Sequence, residues 1–139
     1  MQIQTTRRVL ITGANGFIGK NLLVRLGELP GYAVSSFVRG DNPEALLGLV
    51  AQADSVVHLA GENRPADTSA FATVNTGLTE ALCAAIAQSI NTTGRCIPFI
   101  LASSTQAELD NPYGHSKLAA EEAVHKLVAA TGNPAVIFR

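Results

Sequence analysis

The chain has 139 residues, the length of one domain. At 47% hydrophobic and 15% charged it carries enough apolar side chains for a packed core, which excludes a disordered segment. A formal net charge of -1 argues against nucleic acid or an anionic membrane surface as a partner. No apolar run reaches a membrane-spanning length, and the polar residues 1–8 lead into the first strand without the hydrophobic region of a signal peptide, so a cytoplasmic location is expected.

Val9, Leu10 and Ile11, two of them β-branched, predict a strand buried on both faces. Gly13, Gly16 and Gly19 follow at every third residue. From Phe17 a helical pattern begins, with Phe17, Leu22, Leu23 and Leu26 on its apolar side. Strand, glycine turn and helix together predict a dinucleotide site. One glycine makes the turn, one admits the pyrophosphate close to the backbone, and one lets helix and strand pack tightly. The helix N-terminus supplies free amides and a positive dipole end.

Pro30 and Gly31 end this helix near Leu29. Residues 32–38 read as the second strand, 43–52 as a short helix opened by Pro43, and 54–61 as the third strand and its exit. A polar loop over 62–67 precedes a long helix over 68–89, in which Phe71, Val74, Leu78, Leu82 and Ile86 recur at three and four. A loop over 91–95, a strand over 97–102, a loop over 103–112, a helix over 113–130 and a last strand over 135–138 complete the chain. Alternating strands and helices predict a Rossmann-like, doubly wound parallel sheet of five strands in three α/β/α layers. The single short helix between the second and third strands suggests a trimmed form of the six-stranded fold. A chain stopping at a strand suggests a fragment of a longer protein, lacking a C-terminal substrate lobe.

In dinucleotide folds the residue about 20 positions past the glycine loop meets the adenosine ribose. Arg39 holds that place; its guanidinium suits a 2′-phosphate and favours NADP, while Asp41 nearby leaves NAD open. Tyr113 and Lys117, four apart at the start of a helix, project from one face. Ser103, Ser104 and Thr105 lie just past a strand, at the sheet edge where such folds bind ligands. Cys83 and Cys96 lack metal-ligand spacing and read as buried, reduced thiols. The three histidines offer no metal site: His58 reads as a packed, hydrogen-bonded residue, His115 points away from Tyr113 and Lys117, and His125 shares a polar helix face with Glu121.

The segments Thr12-Gly13-Ala14-Asn15-Gly16-Phe17-Ile18-Gly19 and His58-Leu59-Ala60-Gly61, with Asn75, Ser103-Ser104 and Tyr113-Gly114-His115-Ser116-Lys117, together resemble the extended short-chain dehydrogenase/reductase family of NAD(P)-dependent sugar epimerases, dehydratases and reductases. The stretch from His58 through Glu62, Asn63, Arg64 and Pro65, and that from Ser104 to Gly114, are similar to one branch. It comprises the bifunctional UDP-sugar reductases of the N-acetyl-L-fucosamine pathway for capsule and O-antigen. Glu62 and Ala102 depart from that branch's pattern.

The resemblance implies cofactor contacts from Gly13, Asn15, Gly16, Phe17, Ile18, Gly19, Arg39, Leu59, Ala60, Gly61 and Asn75, with Tyr113 and Lys117. A phenol titrates near pH 10, and an adjacent ammonium favours its ionised form. The implied roles are Tyr113 as proton donor, Lys117 as the charge beside it and a ribose ligand, and Ser104 as hydrogen-bond donor to the substrate oxygen. Ser103 or Thr105 could exchange with Ser104. Asn75 is either a cofactor-side residue or a polar residue on an outer helix face. The implied substrate is a nucleotide sugar, with NADP or NAD as cofactor. The implied assembly is a homodimer through a four-helix bundle, whose contact face would include Ala81, Ala84, Ala85, Ala119, Ala120 and Ala123. The alternatives are an NAD-dependent epimerase or dehydratase with the same Ser104, Tyr113 and Lys117, and a non-catalytic dinucleotide-binding module.

Overall fold

The fold is that of a computed structural model which describes residues 5–61, 69 and 71–139. The loop expected over 62–67, the helix start at Thr68 and the branch resemblance at Glu62, Asn63, Arg64 and Pro65 lie outside the described residues.

Five strands, β1 (Arg7–Thr12), β2 (Tyr32–Phe37), β3 (Ser55–His58), β4 (Phe99–Ala102) and β5 (Ala135–Phe138), form one parallel sheet in the order β2-β1-β3-β4-β5. Four α-helices connect them: α1 (Phe17–Glu28), α2 (Ala45–Gln52), α3 (Leu78–Thr93) and α4 (Pro112–Thr131). The period-2 alternation of the strands sorts their side chains between the two faces. Leu10, Val56, Phe99 and Leu101 point into a core with α2, α3 and α4. Val9 and Ile11 point to the opposite face, where Leu22, Leu23 and Leu26 of α1 pack against them. The result is the three-layer, Rossmann-like arrangement expected, with three helices on one face and one on the other. Beyond β3 the α1 side has no covering helix among the described residues, and Val136 and Phe138 are exposed there.

Several expectations are corrected. Phe17 is 86% exposed, because it stands on the first turn of α1 at the mouth of the glycine loop rather than over the sheet. The predicted long helix is π-helical over Phe71–Gly77 before α3 begins. Apolar residues at three and four spacing are the pattern of an α-turn, so periodicity did not reveal the wider one. α3 also runs on to Thr93, into the predicted loop. Thr92 and Thr93 hydroxyls donate back to the carbonyls of Gln88 and Ser89 at 2.9 and 2.8 Å, and Gly94 closes the helix in a left-handed conformation. Cys83 is buried, and burial pushes its thiol up to about 11, but Cys96 is exposed in the segment before β4. Ala85 and Ala120 are buried against the sheet and are not on an outer face. Glu121 is likewise buried, unlike exposed His125.

Candidate active site

The strand order reverses direction between β1 and β3: α1 carries the chain from β1 out to β2 on one face, and α2 returns it to β3 on the other. Open sheets bind ligands in the crevice outside the C-terminal strand ends at such a point. Here the crevice is a cleft of ≈ 540 Å³ lined among others by Gly13, Asn15, Gly16, Arg39, Ala60 and Gly61. Gly13 has φ +69, and a Cβ on it would stand 2.7 Å from the Ala60 backbone nitrogen. A Cβ on Gly19 would collide with the Gly13 carbonyl and sit 2.8 Å from Ala14 Cα. The glycines therefore let β1, α1 and the exit of β3 meet backbone to backbone. Gly16 caps α1 with no side-chain bond, and the first turn of α1 has no acidic residue, which leaves its amides to an anion.

Arg39 sits exposed where the chain leaves β2 and lines the same cleft. The Asp41 carboxylate, the feature that left NAD open, accepts the Val38 amide at 2.9 Å and is engaged in the turn. Leu59, Ala60 and Gly61 form the far wall with Thr73 and Val74. The residues present fit a dinucleotide: a phosphate-accepting helix end, a cation at the ribose position and an apolar wall.

The second group lies past β4. Ser104 caps a 3-10 turn over Thr105–Glu108, its hydroxyl oxygen accepting the Gln106 amide at 3.1 Å. The Ser104 hydrogen is left to donate elsewhere. Asn111 caps α4 by accepting the Gly114 amide at 2.7 Å, with Pro112 at the first helical position. A Cβ on Gly114 would collide with the Gln106 carbonyl and stand 2.6 Å from the Leu109 carbonyl, so the turn of Ser104 and the first turn of α4 abut. Tyr113, half-buried on that turn, meets Phe71 edge to face at 5.6 Å. Ser103 is placed differently from Ser104: its hydroxyl is buried beside Glu121, outside hydrogen-bonding geometry. Thr105 is exposed.

Lys117 is buried, with Nζ donating to the Ala102 carbonyl at 2.9 Å and lying 3.7 Å from where a Gly61 Cβ would be. It therefore bridges the two groups. Burial pulls its ammonium below the usual lysine range, and Glu121, one turn on, pulls it back up. Asn75 is buried, donating to the Ser116 hydroxyl at 3.0 Å, which settles it as an interior residue rather than one on an outer helix face. His58 is packed and hydrogen-bonded, as expected, and burial then Lys117 lowers its pKa to about 3. His115 pairs with Asp110 at 2.7 Å.

One turn beyond Lys117, Glu121 belongs to a clamp that the sequence did not reveal. Glu121 accepts two bonds from Arg139, at 2.9 and 2.7 Å, and Arg139 also donates to Glu108 at 2.8 Å. The clamp joins the end of β5 to α4 and to the turn of Ser104. Arg139 bonding holds the Glu121 carboxyl below its ordinary range against the opposing effect of burial. A depressed carboxyl contributes stability above its unfolded pKa, near 4.5, and loses it as pH falls through the folded value. Arg139→Met should therefore be less stable than the parent chain at neutral pH, and the gap should shrink as pH falls below 4.5. Urea unfolding at a series of pH values reads this; a gap independent of pH would contradict it.

The fold thus sets the glycine-lined cleft and a serine, a tyrosine and a lysine along one edge of the sheet. A model of the NAD dependent epimerase/dehydratase family matches residues 9–139, and the chain belongs to that family. It is 46% identical over 132 residues to a UDP-2-acetamido-2,6-beta-L-arabino-hexul-4-ose reductase of Pseudomonas aeruginosa, covering 95% of this chain and 34% of the relative. Among solved structures it is similar to the capsular polysaccharide assembling protein CapF from Staphylococcus aureus, with TM-score 0.73 and 32% identity over 94% of this chain and 34% of that one. It is also similar to RMD from Pseudomonas aeruginosa complexed with NADPH, with TM-score 0.73 and 27% identity over 95% of this chain and 53% of that one. The chain thus spans about a third of the length of the reductase and of CapF.

Proposed function

We propose that residues 1–139 are the NADP-binding part of a nucleotide-sugar reductase that reduces the C4 ketone of a UDP-sugar in the cytoplasm, toward surface polysaccharide. The observation that carries the reading is the abutment of the Ser104 turn and the Tyr113 turn beside the glycine cleft, with Lys117 reaching between them. The 46% identity to a named 4-ulose reductase supports the substrate class. The 34% share of that relative's length supports a further, sugar-holding part.

Bound NADPH would supply the hydride to the ketone carbon. Gly13, Asn15, Gly16, Phe17, Ile18 and Gly19 would hold its pyrophosphate, Arg39 its 2′-phosphate, and Lys117 its nicotinamide ribose. Ser104 donates to the ketone oxygen as negative charge gathers there. Tyr113 gives that oxygen a proton, so that the carbonyl becomes a secondary alcohol, with the Lys117 side chain one helical turn along α4. Asn75 stiffens the cofactor side from below.

The test is NADPH oxidation by the full-length protein with a 4-keto UDP-sugar. Loss of NADPH absorbance with formation of the 4-hydroxy sugar is expected. Interconversion of sugars on NAD with no net oxidation would instead make it an epimerase. Residues 1–139 alone should bind the cofactor weakly and turn over negligibly, because holding donor and acceptor in register is worth up to roughly 7–11 kcal/mol.

If Arg39 pairs with the 2′-phosphate, NADPH binds more tightly than NADH, and Arg39→Ala narrows the gap by about 1–3 kcal/mol, the range of a charge-assisted hydrogen bond. Calorimetry giving equal affinities for the two cofactors would end the assignment. The protein should also form a symmetric dimer through α3 and α4. Ala81 and Ala84 are exposed, and Ala119 and Ala123 are half-buried beside a groove between the helices. Light scattering should give twice the chain mass; a monomer at high concentration would refute it.

A further inference from the structure

His58 is enclosed completely, yet it forms no part of the chemistry described above. Its ring lies between two hydroxyls. Thr12 Oγ1 is 2.6 Å from Nδ1, and Thr79 Oγ1 is 2.9 Å from Nε2. Both threonines are fully buried. The Thr12 oxygen also accepts the backbone amides of Leu59 and Ala60, each at 3.1 Å. The Ala60 amide, and the Leu59 amide that is shared with the Thr12 carbonyl at 3.2 Å, occupy the lone-pair side of the hydroxyl, which directs its hydrogen to Nδ1. Nδ1 is then the acceptor, and Nε2 carries the ring proton, which it gives to Thr79. The Thr79 hydroxyl in turn donates to the Asn75 carbonyl at 2.8 Å. Reversing the order would press a further donor on Thr12 and pull the Thr79 hydrogen away from the Asn75 carbonyl toward Nε2. One proton arrangement satisfies every member.

The run continues. Asn75 Nδ2 donates to Ser116 Oγ at 3.0 Å, and Ser116 Oγ donates to the Tyr113 carbonyl at 2.7 Å. It therefore begins at the wall of the cofactor cleft, crosses the top of the sheet through β1 and β3, passes the π-helical segment, and ends at the turn that carries Tyr113.

We propose that His58 is a positioning residue, fixed as the neutral Nε2–H imidazole, which ties the Leu59 and Ala60 wall of the cleft to Asn75 and to the Tyr113 turn. The proposal rests on the reading of that cleft as a cofactor site. His58 meets Thr12 from β1, Phe99 from β4 and Thr79 from α3, none of which titrates, and the charge that faces it is the Lys117 ammonium from α4. A second proton on the ring would have no acceptor and would meet that charge. The low His58 pKa, about 3, agrees.

The experiment has two arms on the 139-residue chain. In the first, nitrogen-15 spectra of the histidine rings should show His58 as the Nε2–H tautomer, unchanged between pH 5 and 8. An Nδ1–H tautomer, or titration of His58 in that range, overturns the proposal. In the second, Thr79→Val removes the acceptor for Nε2 at a site outside the cleft lining, and Thr79→Ser keeps the hydroxyl. Thr79→Val should shift the Leu59 and Ala60 amide resonances and weaken NADPH binding about tenfold, and Thr79→Ser should restore both. Unmoved amides, or a serine variant as impaired as the valine one, overturn it. If the parent chain fails to bind NADPH, the cofactor reading falls, while the tautomer and the amide shifts still decide the role of His58. Should Thr79→Val not fold, the tautomer arm decides alone.

Discussion

Tyr113→Phe in the full-length protein should lower reduction of a 4-keto UDP-sugar by about a hundred- to ten-thousand-fold, the range for loss of a positioned general acid. NADPH affinity should hardly change. The substitution deletes one oxygen and keeps the ring, so the edge-to-face contact with Phe71 at 5.6 Å and the packing of the first turn of α4 persist. Lys117→Ala should behave differently. It strips the Ala102 carbonyl of its 2.9 Å donor, empties a buried site beside Gly61, and removes the charge proposed above to serve both ribose and phenol. Binding and turnover should fall together. Paired fluorescence titration and NADPH oxidation separate the two variants, and near-normal turnover by Tyr113→Phe would end the assignment of roles.

Gly13→Val should abolish detectable NADPH binding and destabilise the chain by about 2–5 kcal/mol, the sum of a left-handed backbone penalty and an overpacked contact. Gly13 sits at φ +69, and its new Cβ would lie 2.7, 2.8 and 2.9 Å from Ala60 N, Ala60 Cα and Leu59 C. Backbone atoms cannot rotate aside, so either β1 or the exit of β3 must move, and these are the two walls of the cleft. Gly27→Ala is the control: it lies within α1 and its Cβ would meet nothing within 4 Å. It should bind NADPH normally and gain about 0.5–1 kcal/mol from helix propensity. Urea unfolding with cofactor titration reads both, and a Gly13→Val chain that binds like the parent would contradict the geometry.

How much of this was legible in the sequence depends on how far apart the interacting residues lie. The glycine loop is local: strand, turn and helix occupy one continuous stretch, and Gly13, Gly16 and Gly19 announced it before any fold was known. Tyr113 and Lys117 are one helical turn apart and were equally readable. The chain reading of Ala85 and Ala120 as outer residues failed because alanine suits a helix on either face, and only packing decides which. The π-helical segment around Asn75 escaped because its apolar spacing also fits an α-helix. The links from Thr12 to His58, from His58 to Thr79 and from Glu121 to Arg139 join residues 46, 21 and 18 positions apart. Nothing in their local spacing signals a partner, although a glutamate four residues past the lysine was a hint. Asp41 was legible as a carboxylate near the ribose position, but the hydrogen bond that one of its oxygens accepts from the Val38 amide was not.

The central claim is that the cleft between the ends of β1 and β3 holds a nicotinamide dinucleotide. Titrating NADPH into nitrogen-15-labelled chain while following amide resonances tests it directly. Saturable shifts are expected at Gly13, Asn15 and Gly16, at Arg39 and Gly40, and at Leu59, Ala60 and Gly61, with the α2 and outer α3 amides unmoved. No shifts at millimolar NADPH, or shifts gathered elsewhere on the surface, would contradict it.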